Sequence, residues 1–456
     1  MAKVVPFCGL RYFLPNAGDI NKLVAPPYDV VSKAERDQLT SDNPYNIFHL
    51  ELPSPNNTKT PSLSKYENAA QLLKKWEQNK IIARDQKPAI YPYDIEFTSH
   101  LGKHKRRGLV ALLKVEPWER NIIKPHEKTF DKVTSDRLKL LEHTKTQFSQ
   151  VFLLYNGKEA ASNILKEAQT DLLYQVTDHI GNKHSLSMVT DKDCLYELCK
   201  MFSNLPMYIA DGHHRYTTAI RFSQKMRERF GSEPQRAYNY LMVYLVDIDD
   251  PGLIVLPTHR VVNQKGLDFK QLLKKAEGFF DQQQLDIETG PSSSTTDQIS
   301  SKIQRHLEDK NDRTSLAFVY KEQNKISCTI WRLKPEILNS MIDNGTPKVL
   351  AELDVTVLND VVFPEILGIT PHSQNDLISI SYTPDSSSAL RHLKDDQLLF
   401  ILNPTPAKRV LDVADAGLVM PHKSTFFYPK ILTGLVMNSV SETDSIDSEY
   451  FSNELL

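Results

Sequence analysis

The chain has 456 residues, with 55 lysines and arginines against 57 aspartates and glutamates. This length predicts two or three domains, and a composition of 40% hydrophobic and 25% charged residues is typical of a globular protein in water. The near-zero net charge argues against a broad nucleic-acid-binding surface, and no apolar run reaches the ~20 residues that a membrane helix requires.

The N-terminal sequence and the number of cysteines indicate the cellular compartment that we expect. The N-terminus lacks the apolar core of a signal peptide, and four cysteines do not make a disulfide framework. We therefore expect a cytoplasmic protein with neither a membrane nor a nucleic acid as its partner.

Up to residue 262 the apolar spacing alternates between helical and extended patterns. The basic run 103–107 lies between two extended segments and predicts a solvated hairpin turn. The predicted elements are helix 65–80, strands 89–97 and 108–115, helix 135–143, strand 150–155, helices 157–174 and 191–202, and strands 207–210, 240–246 and 253–256.

After residue 262 the composition changes, and the Gly-Pro-Ser-rich stretch 290–296 predicts a loop. The predicted elements here are helices 266–283 and 298–309, strands 314–320 and 325–332, helix 348–367, strand 398–402 and helix 406–417. The last 16 residues carry five acidic side chains and no basic one, which predicts disorder.

These elements predict a mixed α/β (α+β) fold with several parts. We expect a catalytic and nucleotide-binding unit over 1–262, a small α/β appendage over 263–340, an α/β region over 341–440 that packs back on the site, and a disordered acidic tail over 441–456. The sequence is compatible with a homo-oligomer.

The segment Asp211-Gly212-His213-His214-Arg215-Tyr216 predicts an anion site, because it joins a short apolar strand to a helix. The first N–H groups of a helix have no partners within it, and the helix dipole places partial positive charge there. Gly212 allows close approach of a ligand, and Arg215 offers a planar phosphate-binding fork. A capped helix with its histidines in solvent is the alternative.

A second group of residues pairs an imidazole with a carboxylate. His126 and Glu127 follow an apolar run and a proline, and such a pair can hold a metal or accept a hydroxyl proton. A plain surface turn is the alternative. Arg137, ten residues further on, could bind phosphate or form an ordinary ion pair.

A third segment, Lys423-Ser424-Thr425, is bracketed by prolines and followed by aromatic residues that need burial. No glycine-rich loop precedes it, so it is not a Walker motif. We expect it to act as a phosphate lid folded onto the N-terminal unit, and a simple turn pointing to water is the alternative.

The 211–216 segment resembles the phosphate loop of the ParB/sulfiredoxin superfamily, and within it the Asp-Gly-His-His-Arg motif of free-serine kinases. The whole chain resembles the domain of unknown function 1015 family. The matching segments are Val24–Val30, Asn43–Tyr45, His126–Thr129, Leu353–Val355, Met420–Thr425 and Pro429–Lys430.

The resemblance implies a ParB/sulfiredoxin-like unit that uses ATP or ADP with Mg²⁺ to phosphorylate a small molecule, such as a free hydroxy amino acid like serine. It also implies a glutamate that accepts the hydroxyl proton, for which Glu127 is the candidate. From the residues themselves we expect phosphate binding at 212–216 with Arg137 and Lys423–Thr425 nearby, a metal shared by Asp211 and Glu127, and proton transfer among Glu127, Asp211, His213 and His126. Two alternatives remain: a metal-dependent phosphoester hydrolase with Asp211, His213, His214 and His126 as ligands, and a nucleotide-binding regulator without turnover.

Overall fold

The computed structural model describes residues 2–54, 63–99, 102–263, 268–287, 293–308, 313–323, 325–369, 380–395 and 397–451. These residues form two compact units. The first combines Met1–Ile254 with Pro429–Leu456, and the second is Val255–Tyr428. Both contain helices and strands, so the predicted mixed α/β class is confirmed. No helix in the described ranges is both long enough and apolar enough to cross a membrane.

The elements are numbered here in chain order. The strands are β1 Val4–Val5, β2 Leu10–Tyr12, β3 Ile82–Arg84, β4 Tyr91–Ser99, β5 Gly102–Lys114, β6 Ile123–Lys124, β7 Thr146–Gln147, β8 Val151–Tyr155, β9 Asp171–Thr177, β10 Lys183–Met188, β11 Met207–Asp211, β12 Tyr240–Asp247, β13 Ile254–Leu256, β14 His259–Asn263, β15 Phe280–Leu285, β16 Ser315–Glu322, β17 Lys325–Leu333, β18 Ile380–Thr383, β19 Gln397–Leu402, β20 Phe426–Tyr428 and β21 Asn438–Ser439. The α-helices are α1 Leu14–Ala17, α2 Ile20–Leu23, α3 Lys33–Asp42, α4 Phe48–Glu51, α5 Lys65–Gln78, α6 Asp131–Thr144, α7 Ala160–Lys166, α8 Lys192–Ser203, α9 His213–Phe230, α10 Phe269–Ala276, α11 Ser293–Leu307, α12 Pro335–Asp343, α13 Lys348–Ala351, α14 Asp354–Val357, α15 Ser386–His392 and α16 Ala407–Asp415. A π-helix, Leu358–Ile366, follows α14.

The main sheet of the first unit has the order β6-β11-β8-β12-β5-β4-β10-β9, with β1 paired to β5. Strands β8 and β12 are buried along their whole length. A parallel strand that is covered on both faces carries a continuous apolar run, and the sequence Val-Phe-Leu-Leu-Tyr of β8 has this character. The core of the unit therefore lies on both faces of the sheet centre.

Strand directions bring distant segments to one edge of this sheet. Strand β6 runs parallel to β11, with Ile123 opposite Met207 and Lys124 opposite Tyr208, so the residues after both strands leave the sheet together. Strand β8 is antiparallel to β11, so the residue before β8 lies at this same edge.

The segment after Tyr428 returns to the first unit. Its β21 pairs with β7, the Leu432 N–H donates to the Tyr93 hydroxyl at 3.0 Å, and the Ile446 N–H donates to the Gln235 carbonyl at 2.8 Å. The acidic stretch that was expected to be disordered is thus packed up to residue 451, and residues 452–456 lie outside the described ranges.

Two acidic side chains of this C-terminal stretch form ion pairs with basic residues that are far away in sequence. Asp444 pairs with Arg84 at 3.2 Å, and Glu449 pairs with Lys192 at 2.9 Å. Disorder was expected because no basic residue lies near these acidic side chains in the sequence. Arg84 and Lys192 are distant in sequence, so local composition does not reveal them as partners.

The second unit contains an antiparallel sheet with the order β15-β17-β16-β19-β14-β18. Residues of α11 and α15, such as Ile303 and Leu390, pack with buried sheet residues including Ala317, Ile330 and Ile401. Because β14 pairs with both β18 and β19, this one sheet crosses the boundaries expected near residues 262 and 340.

Several predicted helices end earlier than expected. Helix 157–174 was predicted, but α7 ends at Lys166 and β9 begins at Asp171. Likewise the predicted helix 266–283 is α10 followed by β15. In β9 the buried residues Tyr174 and Val176 are two positions apart, and this period of two is that of a strand.

Replacing Ile446 by alanine tests whether the acidic segment contributes to stability. Ile446 is 7% exposed, so Ile446→Ala should lower the free energy of unfolding by about 2–3 kcal/mol, the scale for truncating a buried isoleucine. Ile180→Ala is the matched control, because Ile180 is 56% exposed, and it should change stability by less than about 0.5 kcal/mol. Equal midpoints for both variants in denaturant unfolding would contradict the packing of this segment.

Candidate active site

The turn between β11 and α9 joins a strand to a long helix, as the sequence predicted, and binding of an anion there stays a prediction. Gly212 lies at φ 96°, a left-handed conformation that favours glycine, and no side chain caps the 18-residue helix that follows. A Cβ at Gly212 would lie 3.0 Å from Nε and Nη2 of Arg215. The positive φ therefore favours glycine here, and a side chain at this position would also crowd the guanidinium of Arg215, which folds back over the turn.

Asp211 ends β11 and holds two cations. Its Oδ2 accepts from Arg215 Nη2 at 2.7 Å, and its Oδ1 accepts from Lys430 Nζ at 2.6 Å. The side chains of Asp211 and Lys430 are both 15% exposed, so this group of two cations and one carboxylate lies at the margin of the core. It lies beside the helix N-terminus, where the helix dipole favours an anion.

Arg215 itself is buried. Its Nη1 donates to the carbonyl of Gln150, which directly precedes β8 and so lies at the same sheet edge. The guanidinium thus ties the start of α9 to two neighbouring strands. This placement is consistent with Arg215 shaping the turn, whereas Lys430 has the more exposed charge.

His126 and Glu127 reach the turn, because β6 and β11 are parallel. The His126 N–H donates to His213 Nε2 at 3.2 Å, and the two imidazole rings meet edge to face at 4.6 Å. On its other side, His213 Nδ1 lies 4.0 Å from Glu127 Oε2. The imidazole of His213 therefore stands between the His126 backbone and the Glu127 carboxylate.

Both imidazoles are held neutral by their surroundings. Burial lowers the pKa of His126 to about 4. Burial, followed by the neighbouring His126, lowers the pKa of His213 well below its usual range. Because Nε2 of a neutral His213 accepts a hydrogen bond, its proton must sit on Nδ1, which is the nitrogen nearer Glu127.

Two further residues of the motif fix the helix to its surroundings. His214 Nε2 accepts from the Phe130 N–H at 3.0 Å. Tyr216 is fully buried, and its hydroxyl donates to the Glu116 carbonyl at 2.9 Å and accepts from the Glu116 N–H at 3.2 Å. Tyr216, expected among the ligand-binding residues, therefore anchors α9 in the core.

Arg137 forms ion pairs within the protein. It contacts Asp136 at 2.5 Å, its Nη1 donates to the Glu51 carbonyl at 2.7 Å, and its guanidinium lies 4.6 Å from the ring centre of Tyr28. The Glu51 carboxyl group is fully buried, and this burial raises its pKa. No sequence pattern indicated Glu51, which lies in the short helix α4.

Lys423, Ser424 and Thr425 belong to the second unit. Lys423 has φ 57°, and its carbonyl accepts from Arg260 Nη2 at 3.1 Å. The Ser424 hydroxyl donates to the Pro421 carbonyl at 2.5 Å. A left-handed conformation is uncommon for a residue other than glycine, and Arg260 stabilises it here. The role of this segment as a lid stays a prediction.

A metal site was expected at Asp211 and Glu127. In the part of the chain that the structure describes, no three or more His, Cys, Asp and Glu side chains form a group that could hold a metal ion. Asp211 instead forms ion pairs with Arg215 and Lys430. The set Asp211, His213, His214 and His126, which the hydrolase alternative requires, does not form such a group either.

The pKa of His126 predicts how stability changes with pH. The folded protein disfavours the charged imidazole, so the unfolded chain takes up a proton first, near its ordinary pKa of about 6.5. Stability should therefore fall as the pH drops from about 6.5 towards 4, by up to ~1.4 kcal/mol per pH unit from this group. His126→Gln should reduce that slope in denaturant unfolding, whereas His143→Gln, at an exposed position, should keep it. An unchanged slope in His126→Gln would contradict a buried neutral imidazole.

Several solved structures resemble this chain distantly. A truncated SbnI from Staphylococcus aureus matches with 11% identity and a TM-score of 0.37, covering 76% of this chain and 94% of that one. A free serine kinase variant in complex with ADP matches with 12% identity and a TM-score of 0.33, covering 72% and 92%. A conserved hypothetical protein from Pyrococcus furiosus matches with 12% identity and a TM-score of 0.32, covering 72% and 95%. Scores this low carry no argument about activity.

Sequence comparison gives a family. No curated protein matches the chain, but the family model described as protein of unknown function (DUF1015) matches residues 4–356. This range includes the 211–216 turn, the His126–Glu127 pair and Arg137. The chain belongs to the DUF1015 family.

Proposed function

We propose that the first unit is a nucleotide-dependent phosphotransferase that acts on a small hydroxyl-bearing molecule, such as a free hydroxy amino acid. The observation that carries this proposal is the uncapped start of α9 beside Arg215 and Lys430, the two cations that pair with Asp211. Helix N–H groups with an adjacent cation suit the phosphates of a nucleotide. The likeness of the 211–216 segment to known phosphate loops points the same way.

In this proposal the phosphates of ATP or ADP bind at residues 212–214 and contact Lys430. The residues present fit a nucleotide, because Lys430 and the uncapped start of α9 both favour phosphate groups. Mg²⁺ usually binds through one or two carboxylates and the substrate phosphates, and Glu127 is the carboxylate that could contact it beside the turn. Asp211 positions the two cations.

Glu127 accepts the proton of the acceptor hydroxyl. The acceptor oxygen then forms a bond to the transferred phosphorus, and the bond from that phosphorus to the leaving phosphate oxygen of the nucleotide breaks. His213 presents its Nδ1–H towards Glu127 Oε2 across 4.0 Å, because its Nε2 is already engaged by the His126 N–H. Phosphoryl transfer depends mostly on such positioning and on charge neutralisation.

Removing the Lys430 charge tests nucleotide binding. Lys430→Ala should weaken ATP or ADP binding in calorimetry by about 1.5–3 kcal/mol, the scale of a charged hydrogen bond. Lys225→Ala is the matched control, because Lys225 also forms an ion pair at 2.6 Å but is 57% exposed on the surface. Equal affinities of the two variants would remove Lys430 from the site.

Removing the Glu127 charge tests catalysis separately from binding. With ³¹P NMR detection and a panel of hydroxy amino acids, Glu127→Gln should lower turnover by roughly 10²–10⁴-fold, the range for a general base, and should leave nucleotide affinity nearly unchanged. Glu119→Gln, at an exposed position, should keep full turnover. Tight nucleotide binding without turnover on any acceptor would instead support a non-catalytic nucleotide-binding regulator.

A further inference from the structure

The backbone is held on both sides of Lys430. One residue earlier, the Pro429 carbonyl accepts from Nη2 of the fully buried Arg106 at 2.8 Å. Two residues later, the Leu432 N–H donates to the Tyr93 hydroxyl at 3.0 Å. The segment that carries Lys430 is therefore fixed to β5 and β4, the strands in which Arg106 and Tyr93 lie.

The Tyr93 hydroxyl is the inner end of a chain of three hydrogen-bonded side chains. It lies 2.8 Å from His184 Nδ1, and His184 Nε2 lies 3.2 Å from Asp178 Oδ2. Tyr93 and His184 are both buried. Asp178 lies in the turn between β9 and β10, where its carboxylate also accepts the Asn182 N–H at 2.8 Å. The chain thus connects this turn to the backbone at Leu432.

The direction of each hydrogen bond in this chain is fixed. A carboxylate only accepts hydrogen bonds, so the Asp178 carboxylate requires a proton on His184 Nε2. Burial lowers the pKa of His184, which favours a neutral ring, and Nδ1 of that ring accepts the Tyr93 proton. The Tyr93 oxygen then accepts from the Leu432 N–H. The chain therefore selects one orientation of the Tyr93 hydroxyl.

The hydroxyl contributes something that the ring of Tyr93 does not. The ring packs against Tyr244, with 5.2 Å between the ring centres, and a phenylalanine would keep this contact. Without the hydroxyl, however, the Leu432 N–H would lose its acceptor in the interior, which is costly for a backbone group. The segment would then have a reason to move, and Lys430 would move with it.

We propose that Tyr93 is a positioning residue for the turn at the start of α9. Its hydroxyl, oriented through His184, holds the backbone at Leu432. This contact keeps the Lys430 ammonium 2.6 Å from the Asp211 carboxylate. The part of the proposal that concerns nucleotides rests on the proposed function, because it assumes that Lys430 contacts their phosphates.

Acetylation of the lysines of the full chain, followed by mass spectrometry, tests the positioning without a ligand. In Tyr93→Phe the Lys430 amine, whose side chain is 15% exposed, should react at least threefold faster. Tyr238→Phe is the matched control and should leave this rate unchanged, because Tyr238 is also buried but its hydroxyl donates to the Gly231 carbonyl at 2.6 Å. Lys225, at 57% exposure, is the internal reference.

Calorimetry with ADP tests the consequence for the proposed nucleotide site. Tyr93→Phe should weaken ADP binding at least fivefold, and Tyr238→Phe should keep the affinity. In the Lys430→Ala background, Tyr93→Phe should have no further effect, because its influence acts through that lysine. An equal loss in both backgrounds would mean that Tyr93 only supports the fold, and it would overturn the proposal.

Circular dichroism checks that each variant is folded. If Tyr93→Phe does not fold, Asp178→Ala takes its place, because it changes a turn rather than the core, and it should raise the Lys430 acetylation rate at least twofold. An unchanged Lys430 rate in the folded variant would overturn the positioning.

The two proposals fail in distinguishable ways. If the unmodified chain binds no ADP while Tyr93→Phe still raises the Lys430 acetylation rate, the nucleotide site is wrong and the positioning of Lys430 stands. If ADP binds and the Lys430 rate does not change, the positioning is wrong and the nucleotide site stands.

Discussion

The carboxylate of Asp211 is the interaction on which the first unit depends most. It joins the end of β11 to Arg215 in the following helix and to Lys430, which lies more than two hundred residues further along the chain. Removing one partner from such a partly buried group leaves the other charges without compensation. Asp211 therefore fixes the two cations at the turn, and it adds an ionic contact to the C-terminal segment beside the pairing of β21 with β7.

Parallel pairing explains why the site forms where it does. Strands β6 and β11 lie side by side in the same direction, so the His126–Glu127 pair and the Gly212 turn leave the sheet at one edge, although they are far apart in sequence. From there, two backbone hydrogen bonds fix the imidazoles of the motif, the His126 N–H to His213 and the Phe130 N–H to His214. The histidines thus serve first to lock two loops together.

The sequence predicted local features well and long-range partners poorly. The strand, glycine turn and helix at 207–230 follow from residue types within one short window. The burial of Arg106, in a basic run expected to be a solvated turn, does not, because its partners are the Pro429 carbonyl and the ring of Phe152. Likewise nothing near Glu51 in sequence indicates that Arg137 and Ser149 will surround it. Periodicity shows which residues prefer the interior, and only the fold decides which of them meet.

The first unit is interrupted by the second, and this has a consequence for synthesis on the ribosome. Lys430, β21 and the segment around Ile446 emerge only after the ~170 residues of Val255–Tyr428. At 5–20 residues per second, the nascent first unit waits roughly 9–35 s without the lysine that pairs with Asp211 and without the strand that pairs with β7. During this interval the backbone groups of β7 are open to pairing with other chains.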